Sequence, residues 1–563
     1  MTSGAQRLTE LGDAYFETRH RYDPFNATLL GLSEYDGLVG DPSAEASATA
    51  ADAFAAIRAE LAELDTAGFT EAQLVDAEVL EALLRNAEDD ARDSIWARAA
   101  SSAGYASRQG TLFQAIAAVS VDDDLSAERY LQRLGGLGDY FRGLAARYRH
   151  ELAAGFTPTR LAVTKALGQL RTELGDPSHA VLLRPAAAAT DPSVRQRAER
   201  FLEDSVRPGI AALIEAFEND LLPVARNDDH VGIREVPGGD EMYARALRNH
   251  TTTDLTPEQI HQLGLDVLAQ LEARWADVGQ AAFGVTDRKH IVERLRTDPD
   301  LRFQTTDEIV EVATAALKRA EEALPRYFPA DWSVGPCDTV ELTAEESANS
   351  AMAYYRPPAD DGSRNGAQCL ATADPTSRHR WEYESLTFHE SVPGHHLQLA
   401  TSQQLDIPRY RRHLDVEVCG FNEGWGLYSE EFADELGLYS SDVARFGMLS
   451  FMALRACRLV VDTGIHYYGW SRQQAVDFMF ENTATTLDHV EHEVDRYVSW
   501  PGQACAYMVG KTEIQRMRRR AEEALGDAFD LPSFHGAIIG NGAVPLSVAD
   551  AATRRWQETR TAA

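Results

Sequence analysis

The residues with the clearest chemistry in this sequence fall in one short run, Phe388-His389-Glu390-Ser391-Val392-Pro393-Gly394-His395-His396-Leu397-Gln398. Three imidazoles and a carboxylate lie within eight residues. Neutral imidazole is the commonest protein ligand for zinc, and hydrolytic zinc enzymes keep their general base in a Glu beside a His ligand. The chemistry on offer is metal-assisted hydrolysis: imidazoles on one ion, a carboxylate next to them to take a proton, and a coordination position left for water.

Spacing decides how these groups are positioned. Two His ligands on one helix are normally four residues apart, as in the zincin motif His-Glu-x-x-His, which stacks them on one face about 6 Å apart in rise. Here the fourth residue after His389 is Pro393, and His395 and His396 follow at six and seven. Six residues of regular helix leave the side chains roughly 120° apart, and seven return to the same face about 10 Å away. Pro393 has no N–H to give the preceding turn, and Gly394 accepts unusual dihedrals. Pro-Gly is therefore expected to act as a two-residue insertion that bulges the helix and brings His395 back to His389, with His396 in reserve as second ligand. Gly394-His395-x-Leu397 also resembles the Gly-His-Ala-Leu ending of many zincin motifs. The competing expectation is that Pro-Gly ends the helix and the histidines cap it or lie in a surface turn.

A catalytic zinc usually has three protein ligands, so a third is sought on a separate helix. Glu423, 28 residues after His395, sits in Cys419-Gly420-Phe421-Asn422-Glu423-Gly424-Trp425-Gly426-Leu427-Tyr428-Ser429-Glu430. Gly420, Gly424 and Gly426 would let this backbone approach the His helix closely. Glu430, seven residues on and on the same face, is the expected partner for a ligand imidazole. The alternative for both carboxylates is a solvated acidic helix face.

These motifs, with Pro501-Gly502-Gln503-Ala504-x-x-Tyr507, Asp23-Pro24-x-x-Ala27-Thr28-x-x-Gly31 and Gly540-Asn541-Gly542-x-x-Pro545-Leu546, resemble the bacterial family called domain of unknown function 885 over nearly the whole chain. The resemblance implies a mainly α, elongated multi-helix zincin-like metallopeptidase fold with a deep cleft. It is similar to the Taq-type metallocarboxypeptidases and, more distantly, the thimet-type oligopeptidases, which use His-Glu-x-x-His and a downstream Glu on zinc. Dipeptidyl peptidase III, with one extra residue between its His ligands, resembles this chain in stretching the motif. Carboxypeptidase or oligopeptidase action is what the resemblance implies; the family leaves the substrate open.

Composition sets outer limits. The chain has 563 residues, 44% of them hydrophobic, enough for a large core. A formal charge of −34 argues against nucleic acid and anionic membranes as partners. Five scattered cysteines without a C-x-x-C fit reduced thiols in a cytoplasm. The chain starts in polar sequence with no apolar signal core, and no window is apolar enough to span a membrane.

Residues 1–250 read as successive amphipathic helices forming one cleft wall, and 251–563 as a helical catalytic lobe, with a soft boundary between them. Thr70-x-x-Gln73, Thr256-Pro257-x-Gln259 and Ser471-x-x-Gln474 are helix starts, and a break is expected at Pro208-Gly209. Residues 337–373 read as a small β-sheet or hairpin, with turn residues from Asp360 to Gly366. An edge strand there could pair with a peptide, putting Tyr354, Tyr355 and Arg364 on substrate. Arg455, Arg458, Asp462 and His466 share a helix side; His466 is a candidate oxyanion donor, with a buried structural histidine as the competing expectation, and the arginines are expected to serve carboxylates in the core. Gln503 and Tyr507 share the next helix face, Gln503 toward substrate and Tyr507 as oxyanion donor.

The resulting expectation is a metallohydrolase, with zinc on His389, His395 and Glu423 and with Glu390 as general base, acting on short peptides. Mn²⁺ or Co²⁺ suits the same ligands. The alternative is hydrolysis of a non-peptide amide or ester at the same site. A protein that only binds metal or peptide would not need Glu390.

Overall fold

The computed structural model describes residues 4–561 except 104–105, 177–179, 190, 330–331, 333, 344–346, 348–351, 360–361 and 363. It is mainly helical, 74% helix, with a small three-stranded sheet. The helix starts read from sequence are real caps. Thr70 with Gln73, Thr256 with Gln259, and Ser471 with Gln474 each exchange side chain-to-backbone hydrogen bonds that satisfy two N–H groups left over at a helix start.

Pro208-Gly209 does not break the chain. Helical structure runs from Pro192–Phe201 through a π turn, Leu202–Val206, into Arg207–Ala216. The wider turn makes room for the proline ring. Gly209 serves packing: a Cβ there would stand 2.6 Å from the carbonyl oxygen of Gly138, on helix Asp124–Ala153.

One apolar cluster gathers buried residues between Phe25 and Ala225. Another joins side chains of the first helices, from Leu8 to Ala91, to side chains between Leu397 and Ala549, crossing position 250. The N-terminal helices thus pack on each other and on the segments that carry the chemistry.

The sheet consists of β1 (Cys337–Glu341), β2 (Ala353–Arg356) and β3 (Gly366–Leu370), in the order β1-β3-β2. β1 runs parallel to β3 and β2 antiparallel to it. The central strand β3 is buried along its length, and β2 is an edge strand with Tyr354 exposed. Residues 360, 361 and 363 of the expected turn, Ala351, and the first three residues of the chain lie outside the described residues. Among the described residues no helix is long and apolar enough to cross a membrane. The five cysteines are buried, and no disulfide joins them.

Candidate metal centre

The His-Glu run does not form a bulged helix. Helix Tyr383–Glu390 ends at Glu390, residues 391–394 form a turn with a cis Val392–Pro393 bond, and a new helix, His395–Gln404, begins at His395. Two short helices escape the 120° offset that one regular helix would impose on residues six apart. Gly394 is demanded by close approach: a Cβ there would lie 1.9 Å from the carbonyl oxygen of His389. The turn is pinned from outside by Trp425, whose Nε1 donates to the Pro393 carbonyl at 2.9 Å. All eight residues of Tyr383–Glu390 are buried, so the segment that carries the first imidazole is packed into the interior.

This arrangement brings His389 and His395 to 4.6 Å between ring centroids, at 88°. Helix Cys419–Glu435 supplies Glu423, whose Oε2 stands 3.3 Å from His389 Nε2 and 3.7 Å from His395 Nε2. One donor atom from each of the three lies within 4.8 Å of the others, the one such group among the described residues. Gly426 lets this helix come in, since a Cβ there would meet the His389 ring at 2.6 Å. Gly420 and Gly424 do not face the His helix as the sequence suggests. They pack against the Thr251 carbonyl and against Gly510 of helix Ala506–Leu525.

Glu430 fixes the His389 tautomer. It is fully buried, its Oε1 accepts from His389 Nδ1 at 2.8 Å, and its Oε2 accepts from Ser385 Oγ at 2.8 Å. With the Nδ1 proton committed to Glu430, Nε2 offers a lone pair toward Glu423, itself an acceptor. Two acceptors 3.3 Å apart need a cation between them, either a proton or a metal. The electrostatics carry the same message. Burial opposes charge on His389, yet hydrogen bonds to Glu423 and Glu430 lift it to about 10. Burial would raise the Glu423 carboxyl, but His389 and His395 hold it well below the usual carboxylate range. Two imidazole nitrogens and a carboxylate suit zinc.

His396 is not part of this group. Its Nε2 donates to the Gly335 carbonyl at 2.8 Å, and its Nδ1 accepts from Tyr355 Oη at 3.0 Å. Both nitrogens are spent on holding the sheet against the site.

The three residues border a cavity of about 1430 Å³ that also takes in Glu390, Tyr507, Tyr354, Tyr355 and Arg364. The N-terminal motif reaches it through residues 29–32 and the C-terminal motif through Ala543. His466 and Gln503 are not brought to it. His466 is fully buried, with Nδ1 accepting from the Ile233 N–H at 3.0 Å and Nε2 donating to the Tyr497 carbonyl at 2.9 Å. Burial drives it down to about 4. Gln503 bonds to Arg496 and to Cys419 Sγ.

The sequence does not single out Asp415, and it gives Arg455 a core carboxylate, which the structure supplies in Glu430 at 3.8 Å. Asp415 lines the cavity, and burial, followed by the charges of Glu417 and Glu423, pushes it up to about 6. Arg458 has the carboxylate partner expected of it, Glu493 at 2.7 Å, but Arg455 has no hydrogen-bonded carboxylate.

The family described as bacterial protein of unknown function (DUF885) matches residues 24–552, so the chain belongs to that family. No curated protein matches the chain at a significant level. The fold is shared with the crystal structure of a candidate lipoprotein from Colwellia psychrerythraea (TM-score 0.90, 24% identity, 99% of this chain and 100% of that one). It is also shared with a candidate lipoprotein of unknown function from Shewanella oneidensis (TM-score 0.76, 17% identity, 98% and 99% covered).

Proposed function

We propose that this member of the DUF885 family is a zinc-dependent metallopeptidase that hydrolyses short peptides within a zincin-like helical fold. The observation that carries the reading is the pair of facing acceptors, His389 Nε2 and Glu423 Oε2, joined by His395 at the same point. His389, His395 and Glu423 would hold the ion, with His389 oriented by Glu430. When bound there, zinc lowers the pKa of a water and polarises a carbonyl.

The remaining steps belong to the chain. Glu390 follows a ligand directly in sequence and borders the cavity. At its carboxylate it takes a proton from the attacking water and hands it to the leaving amine. Tyr507 lines the same cavity, and burial holds its hydroxyl protonated, ready to donate to the developing oxyanion. The edge strand β2 borders the cavity through Ala353–Arg356, where an extended peptide can add as a further strand, with Tyr354, Tyr355 and Arg364 alongside.

The test is metal content of the purified protein together with hydrolysis of a short-peptide library by wild type and Glu390→Gln. About one zinc per chain is expected, as a three-ligand catalytic site requires. Turnover should fall by roughly 10²–10⁴-fold in the variant, the usual contribution of a general base. A zinc-loaded protein that cleaves no peptide, or a variant as active as wild type, would falsify the reading.

A further inference from the structure

We propose that Arg455 and Arg458 form a carboxylate-binding subsite beside the metal centre, so that the preferred peptides present a carboxylate within a residue or two of the scissile bond. The inference rests on the peptidase reading above for what is cleaved, but not for what is bound.

Arg455 lies on helix Asp442–His466, is 7% exposed, and lines the cavity. A guanidinium stays charged at any working pH, and burying one is costly unless a carboxylate and hydrogen bonds compensate it. Arg455 has only part of that compensation. Its Nε and Nη1 have no acceptor in the protein. Its Nη2 is 3.8 Å from Glu430 Oε1, an oxygen already committed to His389 Nδ1 at 2.8 Å. Its remaining contacts are with aromatic faces, Phe451 at 4.6 Å and Tyr507 at 6.0 Å, which offer partial relief.

Arg458, one turn further on, completes the subsite. Glu493 and the Tyr497 hydroxyl take its Nη2 and Nε at 2.7 and 3.0 Å, while Nη1 has no acceptor. Its guanidinium also lies over Tyr507, 4.3 Å from the ring centroid. The wider cavity has the matching sign. Seven arginines reach its lining against four carboxylates, in a chain of net charge −34. A carboxylate offers two oxygens to such forked donors, which favour it over a neutral amide.

Position argues for an anchor and against a role on the reacting carbonyl. Arg455 meets His389 from the Glu430 side, behind Nδ1, whereas the metal-ligand atoms gather at Nε2. The guanidinium is thus set back from the reacting point. Arg455 lines the same cavity as the three ligand residues, which puts its guanidinium alongside a peptide held at the metal-ligand atoms.

The experiment uses matched short peptides: a free acid, its C-terminal amide, and amides carrying Glu or Gln next to the scissile bond. Two readouts are taken on zinc-loaded full-length protein, kcat/KM for wild type and calorimetric Kd in a Glu390→Gln background. A carboxylate-bearing peptide should be favoured at least about ten-fold over its neutral partner, as a charge-assisted hydrogen bond supplies. Arg455→Met should bring that ratio to about one, and Arg455→Lys should keep part of it. If Arg455→Met does not fold, the Lys variant and Arg458→Met carry the test.

Preference for the free acid assigns the subsite to the chain terminus, and preference for Glu over Gln assigns it to an acidic side chain. Cleavage without any charge preference, or a preference unmoved in the Arg variants, overturns the subsite and leaves the peptidase reading standing. An Arg455-dependent binding preference without cleavage does the reverse. Neither binding nor cleavage of any peptide overturns both.

Discussion

His389 and His466 are buried to nearly the same degree and belong to helices packed on each other, yet their proton affinities move in opposite directions. His466 falls to about 4, because burial penalises its charge and the hydrogen bond to the Tyr497 carbonyl offsets only part of that penalty, with no carboxylate bonded to either nitrogen. His389 rises to about 10, because two carboxylates face it. The same side chain in the same kind of interior is structural in one place and poised for a cation in the other. The number of nitrogens already spent on the protein decides between them. His396 and His395 repeat the contrast one residue apart. His396 is spent on Gly335 and Tyr355, while His395 turns Nε2 toward Glu423.

The strongest test of this distinction pairs His389→Ala with His466→Ala. The first should lose the zinc and all peptide hydrolysis, as should His395→Ala. The second should keep its zinc and lower Tm, since it leaves a buried N–H and a buried carbonyl unpaired at about 1–3 kcal/mol each. Elemental analysis with thermal melts checks both, and a zinc-free His466→Ala protein would erase the difference drawn here.

Acidification probes the same contrast. His466 titrates near 6.5 when unfolded and near 4 when folded, so below 6.5 the unfolded state takes up the proton first. Its contribution is intact above about pH 6.5 and is lost as pH falls toward 4. Between pH 7 and pH 5 that loss is on the order of 2 kcal/mol, from 1.36 kcal/mol per pKa unit. Urea titrations at the two pH values should show wild type losing about that much more than His466→Gln.

Glu430→Gln sharpens the His389 side. Replacing the carboxylate behind a ligand imidazole should weaken metal affinity by about 10–100-fold without abolishing it, measured by competition with a chelator. The smallest effect is expected for His396→Ala. It should keep its zinc and lose about 0.5–1.5 kcal/mol for each hydrogen bond to Gly335 and Tyr355, read by denaturant unfolding. Zinc loss in that variant would return His396 to the ligand set.

Much of the fold was legible because its signals are local. The three capping boxes read from Thr70, Thr256 and Ser471 each depend on residues three apart. The misreading at Pro208-Gly209 had a non-local cause, since Gly209 answers to Gly138 on another helix. At the site, residue types and the His389-Glu390 pair could be read directly, and Glu430 could be placed behind the ligand by its spacing from Glu423. His466 and Gln503 share helical faces with cavity residues in sequence, but the packing of neighbouring segments turns them into the interior.

The sequence by itself determined which donor groups this protein owns, where its helices begin, and that Pro393-Gly394 would interrupt the motif, because those properties reside in single residues and in spacings of a turn or less. Tertiary structure alone decided that the interruption separates two helices and leaves His395 facing Glu423. It also decided that Glu430 takes the far nitrogen of His389 and that Arg455 stands buried with two guanidinium nitrogens unbonded. Each of those outcomes depends on how one helix is set against another, and side-chain direction across such an interface is fixed by packing among residues far apart in the chain.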